Sequence, residues 1–493
     1  MHQARLRPSI RHTEFSRRNW VEEREQFPEV AGPDPADDHP QPPGDDPTEL
    51  SLRRRVFNLA WPVISENFLQ TLLGVVDTLM VAQLGAEAIA GVGAAIQIMF
   101  FIISALSATS VGSSVLVAQA VGAQAFARAS RLAKQSLVWS VIISIPLIVA
   151  GLFSAEWLIA IFGMEPAVSA IGTEYLQVTM GTVVVLTLLL LGGGVLRGAG
   201  DSRTPMLITA CANLVNVVLT YGLIFGRLGM PELGAVGSAW GTFLSRALGV
   251  AILLVVLWRG RHGITIRGRQ GWWPSLQLAR NILRIGIPAA LEQMLISVGF
   301  LVLTIVVARL GTLALAAHRI AFNALSVAFL PGIGFGIAAT ALVGQSIGAR
   351  RQAEGWMIAR IATEWALIWM GSLGVVFFLF GRAIMGIFTD DPTVIEMGAA
   401  AFRPLALTMP FWAVLFVQGG ALRGTGNTQY PLRVNTIGVW TSVLLGALLL
   451  RLMGGGLATV WVAFLLVAPV TSTLLLRRFR RAITREKLVA AFS

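Results

Sequence analysis

In an apolar chain the chemistry must come from the few ionisable residues inside apolar runs. A charge at the centre of a membrane helix costs at least ~2.5–3.5 kcal/mol. Here that set is Glu66, Asp77, Glu174, Arg246, Glu292, His318, Glu364 and Arg403. In the first apolar run Asn67, Gln70, Gly74 and Asp77 fall at spacings of three, four and three, with Glu66 three turns before Asp77. At 3.6 residues per turn they share one helical stripe, which must face protein or water. Thr209, Asn213, Asn216 and Thr220 make a second stripe in the fifth run. A carboxylate, amide oxygens and hydroxyls on two facing stripes suit a small cation at Asp77, Asn213, Asn216 and Thr220. The same spacing also fits an interfacial Asp77 with the amides bonding helices together.

Glu66 and Glu292 each follow a helix-kinking proline, Pro62 and Pro288, by four residues. With Gln70 they could line a substrate cavity or relay protons, or they could be protonated groups bracing the kinks. Met409, Phe411, Trp412 and Phe416 suit a pocket for flat cations, or ordinary packing. His318 reads as a hydrogen-bonded structural residue, and Arg246 and Arg403 as snorkelling arginines. The glycine-rich stretches 192–200 and 419–426 read as tight turns that set helix packing.

About twelve apolar runs carry these residues: 56–80, 91–118, 135–153, 168–194, 205–226, 235–258, 284–308, 315–342, 357–380, 396–420, 431–451 and 455–476. Each is long enough to cross a hydrocarbon core as a helix. The fold class is therefore an all-α polytopic membrane protein. Arginines concentrate in alternate connections, among them Arg128 and Arg131, Arg197 and Arg203, Arg259 to Arg280, Arg350 and Arg351, and Arg423 and Arg433. The positive-inside rule then places both termini in the cytoplasm, and the expected location is the plasma membrane.

Composition narrows the classes further. Of 493 residues, 55% are hydrophobic and 13% charged, about half the charged share of a soluble domain. Residues 1–50 hold 11 of the 26 acids and 6 of the 38 bases, so the tail is −5 and the remainder +17. That excess is spread between apolar runs and reads as membrane orientation, with no nucleic-acid partner. Both lysines, Lys134 and Lys487, lie outside any GxxxxGK loop, which removes an ATP motor. One cysteine, Cys211, allows no disulfide framework, and no HExxH or paired catalytic set points to an enzyme or a metal centre. The proline- and acid-rich stretch 33–47 cannot build a core and is expected to be disordered.

A repeat at a fixed offset of 226 residues organises the whole chain. Pro62, Glu66, Leu84, Gly85, Gln119, Gly122 and Ala123 recur as Pro288, Glu292, Leu310, Gly311, Gln345, Gly348 and Ala349, and LRGAGD at 196–201 recurs as LRGTGN at 422–427. Six helices per half make the halves parallel, related by a pseudo-twofold axis along the membrane normal with a cavity between them. The expected divisions are a tail at 1–50, lobes at 51–258 and 284–476, a linker at 259–283, and a tail at 477–493.

The segments GVVDTLMVAQLGAEAIAGVG (74–93), LVAQAVGAQ (116–124), LRGAGDSRTPM (196–206) and 308–349 resemble the multidrug and toxic compound extrusion (MATE) family. The resemblance runs from about residue 53 to 476. It implies a monomeric twelve-helix, two-lobe antiporter that exports small organic cations across the lipid bilayer in exchange for protons or sodium, without a cofactor. It also implies a coupling-ion site on Asp77 and Asn216, with Thr220 standing where family members carry a second aspartate. Glu66 is the nearest acid to restore that charge. Another branch of the family carries an acid at the position of Ile296, one turn beyond Glu292. A lipid-linked precursor flippase of the same superfamily is the alternative within transport, disfavoured by the acidic character of the cavity candidates.

Overall fold

With no water in the hydrocarbon region, each apolar run must satisfy its backbone internally, and helices do this. The computed structural model describes residues 48–491; the expectation for the acidic tail falls, save its last few residues, outside them. Thirteen helices follow: α1 Glu49–Ala82, α2 Ala86–Gly122, α3 Phe126–Ala160, α4 Pro166–Gly181, α5 Val183–Gly198, α6 Arg203–Phe225, α7 Gly234–Arg259, α8 Leu276–Ala308, α9 Thr312–Gly348, α10 Gln352–Gly386, α11 Pro392–Gly424, α12 Gln429–Met453 and α13 Leu457–Ala491. Eleven are individually long and apolar enough to span a membrane, and α4 with α5 makes a twelfth, broken span bent by 48°. The protein is a multi-pass membrane protein with two six-span lobes, α1–α7 and α8–α13.

Three boundaries differ from the sequence reading. The run expected at 168–194 breaks at Thr182, whose hydroxyl donates to Val178 O at 2.7 Å and whose backbone leaves the helical region at φ −108°, ψ 9°. Such a local bond competes with the helix ladder, and the following valines add crowding. The linker shrinks to 260–275, because Ser275 caps α8 by accepting from the Leu278 amide. The stretch after 476 continues α13 as helix to Ala491.

The offset of 226 is visible in the backbone. Gly85 and Gly311 both take φ 108° ahead of α2 and α9, and Gln124 and Arg350 both turn left-handed, at φ 55° and 57°. The lobes meet through α2 on α8 and α9 on α1, with α2 against α9. At that seam a Cβ on Gly122 would enter the backbone of Gln345, and one on Gly348 the backbone of Gln119. The seam is not fully symmetric: Leu52, Val56, Leu59 and Ala60, in the first turns of α1, are buried in the core of the second lobe.

Candidate functional site

Asp77 lies near the far end of α1, half-buried, with its Oδ1 buried and without a hydrogen-bond partner. Asn216 and Thr220, one turn apart on α6, are fully buried. Thr220 donates to Asn216 Oδ1 at 3.3 Å, and Asn216 Nδ2 donates to Thr242 Oγ1 at 3.1 Å and to Ser245 Oγ at 3.3 Å on α7. The structure thus joins Asn216 and Thr220 in one polar cluster. Asn213 stands apart from it, donating to Leu69 O at 2.8 Å and so fastening α6 to α1. The charge of Arg246 on α7 acts on Asp77, and that of Asp77 on Tyr175 of α4. Thr242, Ser245 and Tyr175 carry no spacing signal of their own, and only contact between α4, α6 and α7 reveals them.

Glu66 and Glu292 are engaged by arginines that the sequence reading assigns to membrane orientation. Arg197 Nη1 lies 3.1 Å from Glu66 Oε2, and Thr209 Oγ1 donates to Glu66 Oε1 at 3.4 Å. In the second lobe Arg423 Nη2 and Asn435 Nδ2 each donate to Glu292 Oε1 at 2.6 Å. All three members recur at the same offset, Glu66 as Glu292, Arg197 as Arg423 and Thr209 as Asn435. The signal is therefore present in the repeat. Glu66, the acid nearest to a second charge for the Asp77 site, is thus bridged to Arg197. Gln70 is exposed and makes none of these bonds.

The second lobe holds a cavity of about 80 Å³ walled by Phe300, Phe329, Trp412, Phe416 and Phe464, with Asn435 at its polar edge. That is about half the ~150 Å³ that admits a benzene ring. Trp412 is part of its wall. Met409 is not: it is fully buried, packed against Gly374 of α10. His318 is buried and stacks on Trp461 at 5.6 Å.

At the end of the bundle that holds the start of α1, the lobes are fastened together. Gln119 Nε2 donates to Gly424 O at 3.1 Å, and Gln345 Nε2 to Gly198 O at 2.9 Å. Arg55 adds bonds to Gln345 Oε1 and Glu354 Oε1, both 2.8 Å, and Arg53 one to Glu364 Oε2 at 2.7 Å. Among the described residues every cross-lobe side-chain hydrogen bond lies at this end.

Comparison with known proteins gives the same architecture. The MatE family matches twice, over residues 62–222 and 288–448, two windows separated by the offset of 226. The chain is 33% identical over 450 residues to a probable multidrug resistance protein NorM of Thermotoga maritima, covering 89% of this chain and 96% of that one. It is 32% identical to the multidrug resistance protein NorM of Burkholderia vietnamiensis, covering 78% and 83%. Among solved structures, a MATE in the bent conformation superposes with a TM-score of 0.83 at 23% identity, over 90% of this chain and 99% of that one. An outward-facing multidrug resistance MATE transporter gives 0.82 at 23% identity, over 88% and 97%. The chain belongs to the MatE family of membrane efflux transporters, and is not an enzyme.

Proposed function

We propose that the protein is a secondary antiporter of the plasma membrane, with both termini in the cytoplasm, that exports cationic or amphipathic small molecules in exchange for protons or sodium. The NorM relatives, named for multidrug resistance, support the substrate class. The observation that carries alternating access is the one-sided fastening of the lobes. Side-chain bonds between them gather at the end holding the start of α1, so one end is shut while the other is free to part. Exchange requires that the coupling ion favour one of two such states.

Asp77 is the residue on which that ion acts. Its buried Oδ1 accepts no hydrogen bond from the protein, which supports it as the acceptor of a proton or a cation. Asn216 and Thr220 lie in the same lobe as neutral ligands or as the polar frame that shifts when Asp77 is neutralised. One carboxylate, with the field of Arg246 on it, gives the first lobe a charge count unlike that of a two-acid site.

The test is transport of an ethidium-class cation by proteoliposomes under a proton or a sodium gradient applied singly. Wild type should respond to one gradient, and Asp77→Asn to neither. Equal responses from the two proteins would remove Asp77 from coupling. Absence of transport by wild type under both gradients would overturn the substrate class.

A further inference from the structure

The segment joining the lobes, 260–275, is bolted to the first lobe. Lys134, buried on α3, donates its ammonium to Arg267 O at 2.8 Å, Gly268 O at 3.2 Å and Gln270 O at 2.8 Å. Its neighbour Gln135 donates to Gly271 O and Trp273 O, both at 2.7 Å, and accepts from the Ser275 amide at 2.9 Å. Ile264 and Ile266 of the segment are buried, and Thr265 N donates to Ser130 Oγ at 3.1 Å. A connection with so many fixed carbonyls presents a defined surface.

That surface is cationic and aromatic. No acid occurs between Glu232 and Glu292, whereas Arg259, Arg261, Arg267, Arg269, Arg280 and Arg284 fall within the stretch. Arg261 pairs with the buried Asp201. Among the described residues Arg259, Arg267 and Arg269 have no carboxylate partner, and all three are exposed. Arg267 is held in place by its bond to Trp258 O at 2.8 Å and by lying 4.7 Å from the centre of the Trp258 ring. Trp273 is 88% exposed and Leu276 77%, with Trp258 at 57%. These residues sit where α7 ends and α8 begins, at the level where the spans leave the hydrocarbon. Indoles favour that level, and clustered arginines there meet lipid phosphates.

We propose that the face formed by Arg259, Arg267 and Arg269 with Trp258 and Trp273 binds the headgroups of anionic phospholipids. The arginines supply the charge, the indoles anchor at headgroup depth, and the bolts from Lys134 and Gln135 keep both in register. A polyanion in solution would use the arginines but would give no reason for an exposed indole and leucine beside two membrane spans. The inference does not rest on the transported substrate or on the coupling ion.

The full-length protein in detergent, titrated with phosphatidylglycerol or phosphatidylcholine, tests this by native mass spectrometry and thermal unfolding. Wild type should retain phosphatidylglycerol adducts in preference to phosphatidylcholine and melt higher with the former. At roughly fivefold per arginine near an anionic surface, the triple variant Arg259→Gln, Arg267→Gln, Arg269→Gln should lose on the order of 100-fold in that preference. It should melt like wild type in phosphatidylcholine. Trp273→Ala, at a position too exposed to matter for folding, should lose several-fold in binding to phosphatidylglycerol and gives a second reading if the triple variant misfolds. Equal adducts with the two lipids in wild type, an undiminished preference in the triple variant, or undiminished phosphatidylglycerol binding by Trp273→Ala overturns the proposal. So does an equal shift in melting produced by heparin without any preference between lipids.

Discussion

Gln119 and Gln345, 226 positions apart, each reach across the seam between lobes and donate to the glycine carbonyl that the other lobe's LRG turn presents. The two bonds are equivalent by pseudo-symmetry but not in surroundings. Gln345 Oε1 also accepts from Arg55, whereas the asparagine at the position equivalent to Arg55, Asn281, makes no such bond to Gln119. Gln345→Leu strands Gly198 O and one Arg55 contact, an expected cost of about 1–3 kcal/mol to the closed arrangement. Gln119→Leu strands a single carbonyl and should cost less. Distances between spin labels on the two lobes, at the end that holds the start of α1, should lengthen for both and more for Gln345→Leu. Equal lengthening would mean that Arg55 contributes nothing to the fastening.

The two glutamate–arginine bridges should respond to neutralisation in a characteristic pattern. Removing one member of a buried pair leaves an uncompensated charge and costs ~3–5 kcal/mol, whereas replacing both costs far less. Arg423→Gln should therefore lower the melting temperature more than the double variant Glu292→Gln, Arg423→Gln. The corresponding first-lobe variant, Arg197→Gln, should be milder, since Glu66 is more exposed than Glu292, 11% against 3% at the side chain, and its contacts are longer. Additive single and double effects in a thermal-unfolding cycle would dissolve the pair as an energetic unit.

The glycines of the seam separate close approach from helix flexibility. Gly122→Ala and Gly348→Ala drive a methyl into the opposing backbone, where neither side can yield by rotating a side chain. Overpacking of this kind costs about 1–3 kcal/mol, and transport should fall because the closed end no longer seats. Gly74, in the interior of α1, has nothing within 4 Å of the place a Cβ would take. Gly74→Ala should leave the seam untouched and stabilise α1 by roughly 0.5–1 kcal/mol. Matched unfolding and transport assays on the three variants decide whether contact at the seam, and not helix propensity, sets the outcome.

Much of this molecule is written in its one-dimensional pattern. Apolar run length announces the spans because lipid leaves the backbone no alternative to helices, and the repeat fixes the pairing of lobes through residues such as Pro62 and Pro288. The site is legible only in part. Asp77, Asn216 and Thr220 stand out because polar residues are costly in hydrocarbon. Arg197 and Arg423 are hidden in sequence because a basic residue beside a turn satisfies the positive-inside pattern whether its side chain faces headgroups or curls back to a glutamate. Met409 and Trp412 share a helix three residues apart, yet only Trp412 reaches the cavity. Composition gives both the same character, and the direction of each is set by Gly374 and Phe329 on neighbouring helices.

Asp201, in the turn between α5 and α6, makes the acid response of this end of the protein predictable. Burial pushes its carboxyl upward, but the hydroxyl and amide of Thr204 and the guanidinium of Arg261 outweigh this and hold it below the usual carboxylate range. A carboxyl held low stabilises the fold at pH values above its unfolded-state range, and that contribution drains away as the pH falls through its lower folded-state value. The equivalent residue in the second lobe, Asn427, caps its turn without charge by accepting from the Tyr430 amide at 3.2 Å. Asp201→Asn should therefore keep the cap and lose the pair with half-exposed Arg261, costing about 1 kcal/mol near neutral pH. Its melting temperature should also fall less steeply than that of wild type as the pH drops below about 4. Parallel pH profiles for the two proteins would show that Asp201 does not contribute to acid sensitivity, and that the turn is held by its neutral bonds alone.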